Sequence, residues 1–317
     1  MPTTLEQSLF RTLAYFAYFQ FPLTTLELWK WCDAPNVTLF EVEVVLMSSS
    51  WLRSRGCVSD QGFFALGDAA EWRLERLCRV TDALRKSRRA SRFVKFASRL
   101  PWVKMVAVCN SLAFSFTNHE SDIDLFIVTD RGKIWSTRFI LAGALALMHA
   151  RPGERVKDPV CLSFFVTDDR LDFSSVKIGS KDPYLMFWIA TLSPLLDRGD
   201  MLAKLRVANG WMRPDVPRAH GVRRAQSYAA TAVRTLPNVF SIEGLAERMQ
   251  RARFPLALRT MMNADTRVVV TDGMLKFHHN DRRQDILQAY ETLLSKLDDA
   301  VPVHNDLSSA VANAMDV

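Results

Sequence analysis

Residues 106–129 read VAVCNSLAFSFTNHESDIDLFIVT. An apolar run, Val103 to Cys109, ends at Asn110-Ser111. Ten residues later a second apolar run opens on Ser121-Asp122-Ile123-Asp124-Leu125. The pattern predicts a strand, a small-residue turn, a connection and a second strand. Residues two apart in a strand share a face, so Asp122 and Asp124 present two carboxylates side by side. Such a pair favours a hard divalent cation, Mg²⁺ (or Mn²⁺). Without a cation, like charges that close repel at a cost. The plainer alternative is a solvated pair beside a turn.

Outward from this stretch, the preceding segment, residues 69–99, has no Pro or Gly and predicts one long helix. From Arg73 to Arg99 it holds ten basic and two acidic residues. The other residues count 31 basic against 32 acidic, so one segment accounts for the net charge of +7. That balance excludes a histone-like composition and marks the segment as a place for a polyanion. Arg85, Arg88, Arg92, Lys95 and Arg99 step by three or four onto one face. Leu74, Leu77, Leu84, Phe93 and Phe96 supply packing surface. The basic face is either solvated or a cationic wall beside a phosphate-handling site. In the second case, charge reversal at Arg88 and Arg92 weakens nucleotide or RNA binding.

Residues 4–67 read as three helices (about 5–19, 26–33 and 39–50) and two strands within 51–66, turning at Ser59-Asp60-Gln61-Gly62. That is the winged-helix order. The helix in the recognition position, Thr38 to Ser50, carries Glu41 and Glu43 and no Lys or Arg. It would repel phosphates, so the module reads as a packing or protein-contact element, with specific duplex DNA disfavoured. Only Arg53 and Arg55 favour nucleic acid.

Downstream, residues 134–149 predict a helix and Val160 to Val166 a third strand. From about 183 the chain reads as mostly helical, with Trp188, Leu192, Leu195 and Leu196 on an apolar stripe. Residues 213–218 look like a linker, Arg267 to Thr271 is β-like, and a final helix covers about 281–299 before a frayed end. The expected organisation is α+β: a winged-helix-like module (1–68), a core with a small mixed sheet (69–175) and a helical C-terminal domain (176–317).

The 49% hydrophobic share supports a large core. The strongest apolar stretch, Phe139 to Met148, is about half a bilayer span, so no membrane association is expected. No signal peptide is read at Met1 to Gln7. Five scattered cysteines without a C-x-x-C pair point to a reducing, cytoplasmic setting.

The strand, the Asn110-Ser111 turn, the ten-residue connection and Asp122-Ile-Asp124 together resemble the DNA polymerase β-like nucleotidyltransferase superfamily, in its minimal form. The resemblance covers about residues 100–170. It implies a polymerase β-like core in which the Asn110-Ser111 turn and Ser121 hold the phosphates of an NTP. Asp122 and Asp124 would be the catalytic metal ligands. The reaction would be in-line transfer of NMP to an acceptor (small molecule, protein or RNA) with release of pyrophosphate.

Two positions depart from the family pattern. Asn110 stands where Gly is usual, although Asn tolerates left-handed angles. The family's third carboxylate falls on Cys161 in Val160-Cys161-Leu162-Ser163-Phe164, and a neutral thiol is a poor Mg²⁺ ligand. Asp158, Asp168 and Asp169 lie off that position. A non-catalytic nucleotide-binding protein and a winged-helix nucleic-acid-binding regulator therefore stand as alternatives.

Other residues are candidates. Lys133 and Arg138, with Arg131, either reach phosphates or begin a solvated helix. Cys161, Ser163, His278, His279 and Arg282 are candidate substrate contacts. Asp281, beside them, is either a helix cap or part of that cluster. His119 lies three residues before Asp122. Arg213 and His220 have the spacing of a helical RNase pair, but two intervening prolines argue against that site.

Overall fold

Thr3, Thr24 and Thr38 each stand three residues before a glutamate. In the computed structural model, which describes residues 2–154, 157–212, 242–278 and 280–297, all three form capping boxes, with Glu6, Glu27 and Glu41. Each box satisfies two backbone donors that a helix start leaves open. The helices are α1 (Thr4–Ala17), α2 (Thr25–Trp31) and α3 (Leu39–Ser48), with β1 (Leu23–Thr24) entering α2. Residues 51–54, expected in a strand, are helical instead. The Ser49 hydroxyl accepts from the Leu52 N–H and starts α4 (Ser50–Ser54). The hairpin is β2 (Cys57–Asp60) and β3 (Phe63–Leu66), joined by Gln61 and Gly62 at φ 46° and 82°. Two left-handed residues match the twist of the flanking strands. β1 adds to β3 and completes a small antiparallel sheet.

Next comes α5 (Ala69–Ala97), the expected long helix. Its buried side is Ala83, Lys86, Ala90, Phe93, Val94 and Ala97. The alanines let the helix approach the second sheet closely. Leu74, Leu77 and Leu84, expected to pack, are exposed instead.

The second sheet has six strands: β4 (Val103–Val108), β5 (Ile123–Thr129), β6 (Val160–Thr167), β7 (Ser193–Asp197), β8 (Val268–Val270) and β9 (Met274–Phe277), in the order β7-β4-β5-β6-β9-β8. β5 and β6 are parallel and joined through α7 (Ile134–Leu147); the remaining pairs are antiparallel. The short helix α6 (Asn110–Ala113) follows β4. Later helices are α8 (Pro183–Thr191), α9 (Met201–Ala208), α10 (Glu243–Ala252), α11 (Leu256–Met261) and α12 (Arg283–Ser295).

Leu195 and Leu196, expected on a helical stripe, lie in β7. Pro194 explains this. It cannot continue α8, and it pushes Ser193 into extended backbone. β7 is an edge strand, where proline is tolerated. Residues after 176 therefore supply three of the six strands as well as helices.

Side chains alternate across this sheet. Val106, Val108, Ile123, Leu125 and Ile127 face a core closed by α5, α7 and α10. Met105, Ala107, Phe126, Val128 and Phe164 face the other way, against α8 and α9. A third core joins α1–α4 to Phe116, to Phe187 of α8, and to Ile286 and Leu293 of α12. No helix among the described residues is long and apolar enough to cross a membrane.

Candidate active site

β4 leaves the sheet at Cys109, whose N–H donates to the Asp124 carbonyl at 3.2 Å. Asn110 then adopts φ 54°, the left-handed region that an Asn tolerates and a β-branched residue would not. Its side chain is fully engaged. Nδ2 donates to Asp124 Oδ2 at 2.8 Å, and Oδ1 accepts from Tyr184 Oη at 3.1 Å and Trp188 Nε1 at 3.0 Å. Asn110 thus fixes Asp124 against α8.

Asp122 and Asp124 open β5 and are half-buried. By strand alternation they share the face of Phe126 and Val128. Cys161 is the register partner of Asp124, and Phe164 that of Phe126. β6 therefore carries one extra residue there, around Leu162 and Ser163. Bulges of this kind recur beside active sites, where they re-aim side chains. Ser163 is buried in it.

Burial raises the Asp124 carboxyl above its ordinary value; the Asn110 hydrogen bond opposes the rise and the Asp122 charge adds to it. Burial also raises Asp122, against the pull of Lys86. The Cys161 thiol is pushed up to about 12 by burial and then by Asp124. A neutral thiol of this kind is a poor Mg²⁺ ligand.

A cleft opens between α1, the β2–β3 sheet and the β4–β5 turn. It brings Asn110, Ser111 and Ser121 together with Tyr184, Trp188, Lys276, His278 and Arg282. The His278 ring lies edge-on to Phe164, 5.9 Å between centroids. Lys276, Asp281, Arg283 and Asp182 form a buried, charge-balanced cluster on the same cleft. Arg283 pairs with Asp281 at 2.6 Å and Asp182 at 3.3 Å, and Lys276 lies 3.8 Å from Asp281. Burial lowers the Lys276 ammonium to about 8. Asp281 does accept the Arg283 N–H at 3.0 Å, but Arg282 holds the cap position of α12. His279, Arg213, His220 and the expected linker and frayed end lie outside the described residues.

Other candidates are not brought to this cleft. Arg88 and Arg92 are exposed on α5, which packs against the sheet face opposite to Asp124. Lys133 sits past the far end of β5, its ammonium 5.4 Å from the Trp102 ring centre. Arg138 is buried against Phe277 and donates to Gln250 Oε1 at 2.6 Å; burial lowers it to about 10. Asp158 pairs with Arg85 at 2.7 Å and with the fully buried Lys86 at 3.3 Å. Asp82 closes this network with both cations. Asp168 and Asp169 flank Arg131 at the far end of β6, about 20 Å along the strands.

The DNA-favouring arginines are also committed. Arg53 donates to the Met47 and Ser48 carbonyls, ending α3. Arg55 donates to the Lys296 and Leu297 carbonyls, ending α12.

Tyr184, Trp188 and Lys276 are the residues that sequence reasoning missed. Tyr184 and Trp188 are spaced i, i+4 on α8, which puts both on one helix face; that was the available signal. Lys276 gave none.

Among the described residues, no group of three His, Cys, Asp or Glu side chains is arranged to hold a metal ion. Two adjacent carboxylates on one strand fit a different arrangement. Mg²⁺ is commonly held by one or two carboxylates plus substrate phosphates rather than by an all-protein cage. The donor set therefore fits a metal that arrives with a triphosphate. No protein-family model matches this chain, and no curated protein or solved structure matches it.

Proposed function

We propose that this chain is a nucleotidyltransferase of the polymerase β-like kind, transferring NMP from an NTP to an acceptor hydroxyl with release of pyrophosphate. The observation that carries the proposal is the half-buried pair Asp122/Asp124 at the head of β5, beside the left-handed Asn110 turn. Raised, half-buried carboxyls are a frequent mark of a functional site. Ser111 and Ser121 line the cleft beside the Asn110 turn and would contact the phosphates. Asn110 holds Asp124 in orientation. Bound Mg²⁺ would supply charge neutralisation on the triphosphate and activation of the acceptor.

His278, Arg282 and the aromatic side chains of the cleft would face the acceptor. The cleft's basic residues, such as Arg79 and Lys276, are interspersed with Asp60, Glu71 and Asp281. That mixed wall suits a protein or small-molecule acceptor better than an RNA backbone, which selects a positive groove.

The Asp124–Cys161 register favours a second reading, a protein that binds Mg²⁺–NTP without transfer. Losing a positioned base or ligand costs on the order of 10²–10⁴-fold in rate. One experiment decides. Each labelled NTP is incubated with the protein, Mg²⁺ or Mn²⁺, and cell extract, and pyrophosphate and label transfer are followed. Transfer that disappears in Asp122→Ala supports the enzyme. Binding without transfer, with transfer appearing only in Cys161→Asp, supports the second reading. No NTP binding overturns both.

A further inference from the structure

Two helices leave apolar faces uncovered, and their charges are opposite. On α3, Phe40, Val44 and Met47 are 70%, 44% and 59% exposed. Their i, i+4, i+7 spacing makes one ridge. Exposed Glu43 flanks it, and α3 contains no Lys or Arg. On α5, Leu74, Leu77 and Leu84 are 57%, 49% and 48% exposed, again on one face. The same face continues toward the C-terminus as Arg88, Arg92 and Arg99, all exposed and without an ion pair among the described residues. Large apolar side chains grouped in this way mark an interaction surface.

We infer that the partner is a second copy of this chain, with α3 of one molecule lying on α5 of the next. Phe40, Val44 and Met47 then cover the Leu74–Leu84 stripe, and Glu43 meets the guanidinium of Arg88. The two surfaces are complementary in polarity and charge. The α5 surface is not complementary to itself, because α5 against α5 would bring the Arg88–Arg99 segment toward an apolar leucine stripe. The contact is heterologous, using different patches on the two molecules. A single three-turn helix contact falls below the roughly 1,200 Å² of a standard stable interface, so association depends on concentration and weakens with salt.

Sedimentation velocity on the full chain at up to about 100 µM, a range in which weak contacts populate, tests the inference. The parent is expected to exceed its 36.1 kDa monomer mass. Phe40→Asp and Leu77→Asp, both at exposed positions, each become monomeric while keeping the parent's melting temperature. Mixing these two variants restores a 1:1 complex and nothing larger, because one intact α3 meets one intact α5. A parent that stays monomeric overturns the inference. So does a mixture that fails to associate, or a Phe40→Asp variant that stays associated on its own, which is the result a self-paired α5 contact would give.

Discussion

Two buried polar clusters face the same cleft, and they solve the problem of burial in opposite ways. Around Arg283, two cations and two carboxylates neutralise one another. Burial raises the Asp281 carboxyl, but the hydrogen bonds and charge of Arg283 outweigh it and hold the group below its ordinary value. Around Asn110, Asp124 is hydrogen-bonded by a neutral amide and raised, and Asp122 is raised despite the pull of Lys86. The first cluster is complete as it stands and ties β9 and α12 to α8. In the second, Asp124 has no ion pair among the described residues and is held by a neutral amide. Proteins keep such local cost where function requires it. The contrast makes the first cluster a structural tie and leaves the second as the site of the proposed chemistry.

The largest test breaks the balanced cluster. Arg283→Ala leaves two buried carboxylates and a lysine without their centre, and should cost about 3–5 kcal/mol in urea unfolding. A loss below about 1 kcal/mol would place this cluster among weak surface pairs instead.

Asn110→Ala comes next. A left-handed non-glycine residue costs about 1–2 kcal/mol without the local hydrogen bonding that Asn provides, and three partners lose a bond. Asn110→Gly should recover the backbone part in the same assay. Equal losses in both variants would show that the side-chain fork alone matters.

Asp124→Asn separates stability from function most sharply. It removes a charge that burial disfavours while retaining an acceptor for Asn110. The melting temperature should rise while Mg²⁺–NTP binding disappears, as calorimetry would show. A lowered melting temperature would mean that Asp124 is a structural residue.

Acid titration of stability sharpens the same pair. Asp281, held below the ordinary 3.8, contributes stability present above that value and lost as pH falls through its folded value. Asp124, raised above 3.8, contributes stability present below that value and lost as pH rises through its folded value. Asp281→Asn should therefore fall below the parent at pH 7 and Asp124→Asn above it. The Asp124→Asn difference should vanish by the time pH has fallen to about 4, and the Asp281→Asn difference only below that. Parallel curves would remove the distinction.

The smallest expected effect is at Arg88 and Arg92. Reversing both charges should change NTP affinity by less than about twofold, since surface charges remote from a site are screened. A tenfold loss would bring α5 back to the phosphates.

The sequence carried the carboxylate turn well because its information is local: period two in a strand, a residue able to go left-handed, a register of apolar neighbours. Local rules also placed the first three helices, expected at about 5–19, 26–33 and 39–50 and found at Thr4–Ala17, Thr25–Trp31 and Leu39–Ser48. Charge was read less well, because partners lie far away in the chain. Arg85 meets Asp158 and Lys86 meets Asn118 across more than thirty residues, so half of the basic segment is spent internally. The leucines of α5 followed helical spacing yet face outward, since alanines won the close approach to the sheet. Pro194 was a legible signal for β7, outweighed by the leucine pattern around it.

The Arg55 bonds to the end of α12 bear on how the chain is made. Residues 4–66 emerge before part of their own core, because Phe116, Phe187, Ile286 and Leu293 lie later in the sequence. At typical elongation of about 5–20 residues per second, the N-terminal module waits roughly 10–50 s for those residues. During that interval its apolar surface is open to chaperones. The cleft, walled by α1 and α12, takes shape only after α12 has been made.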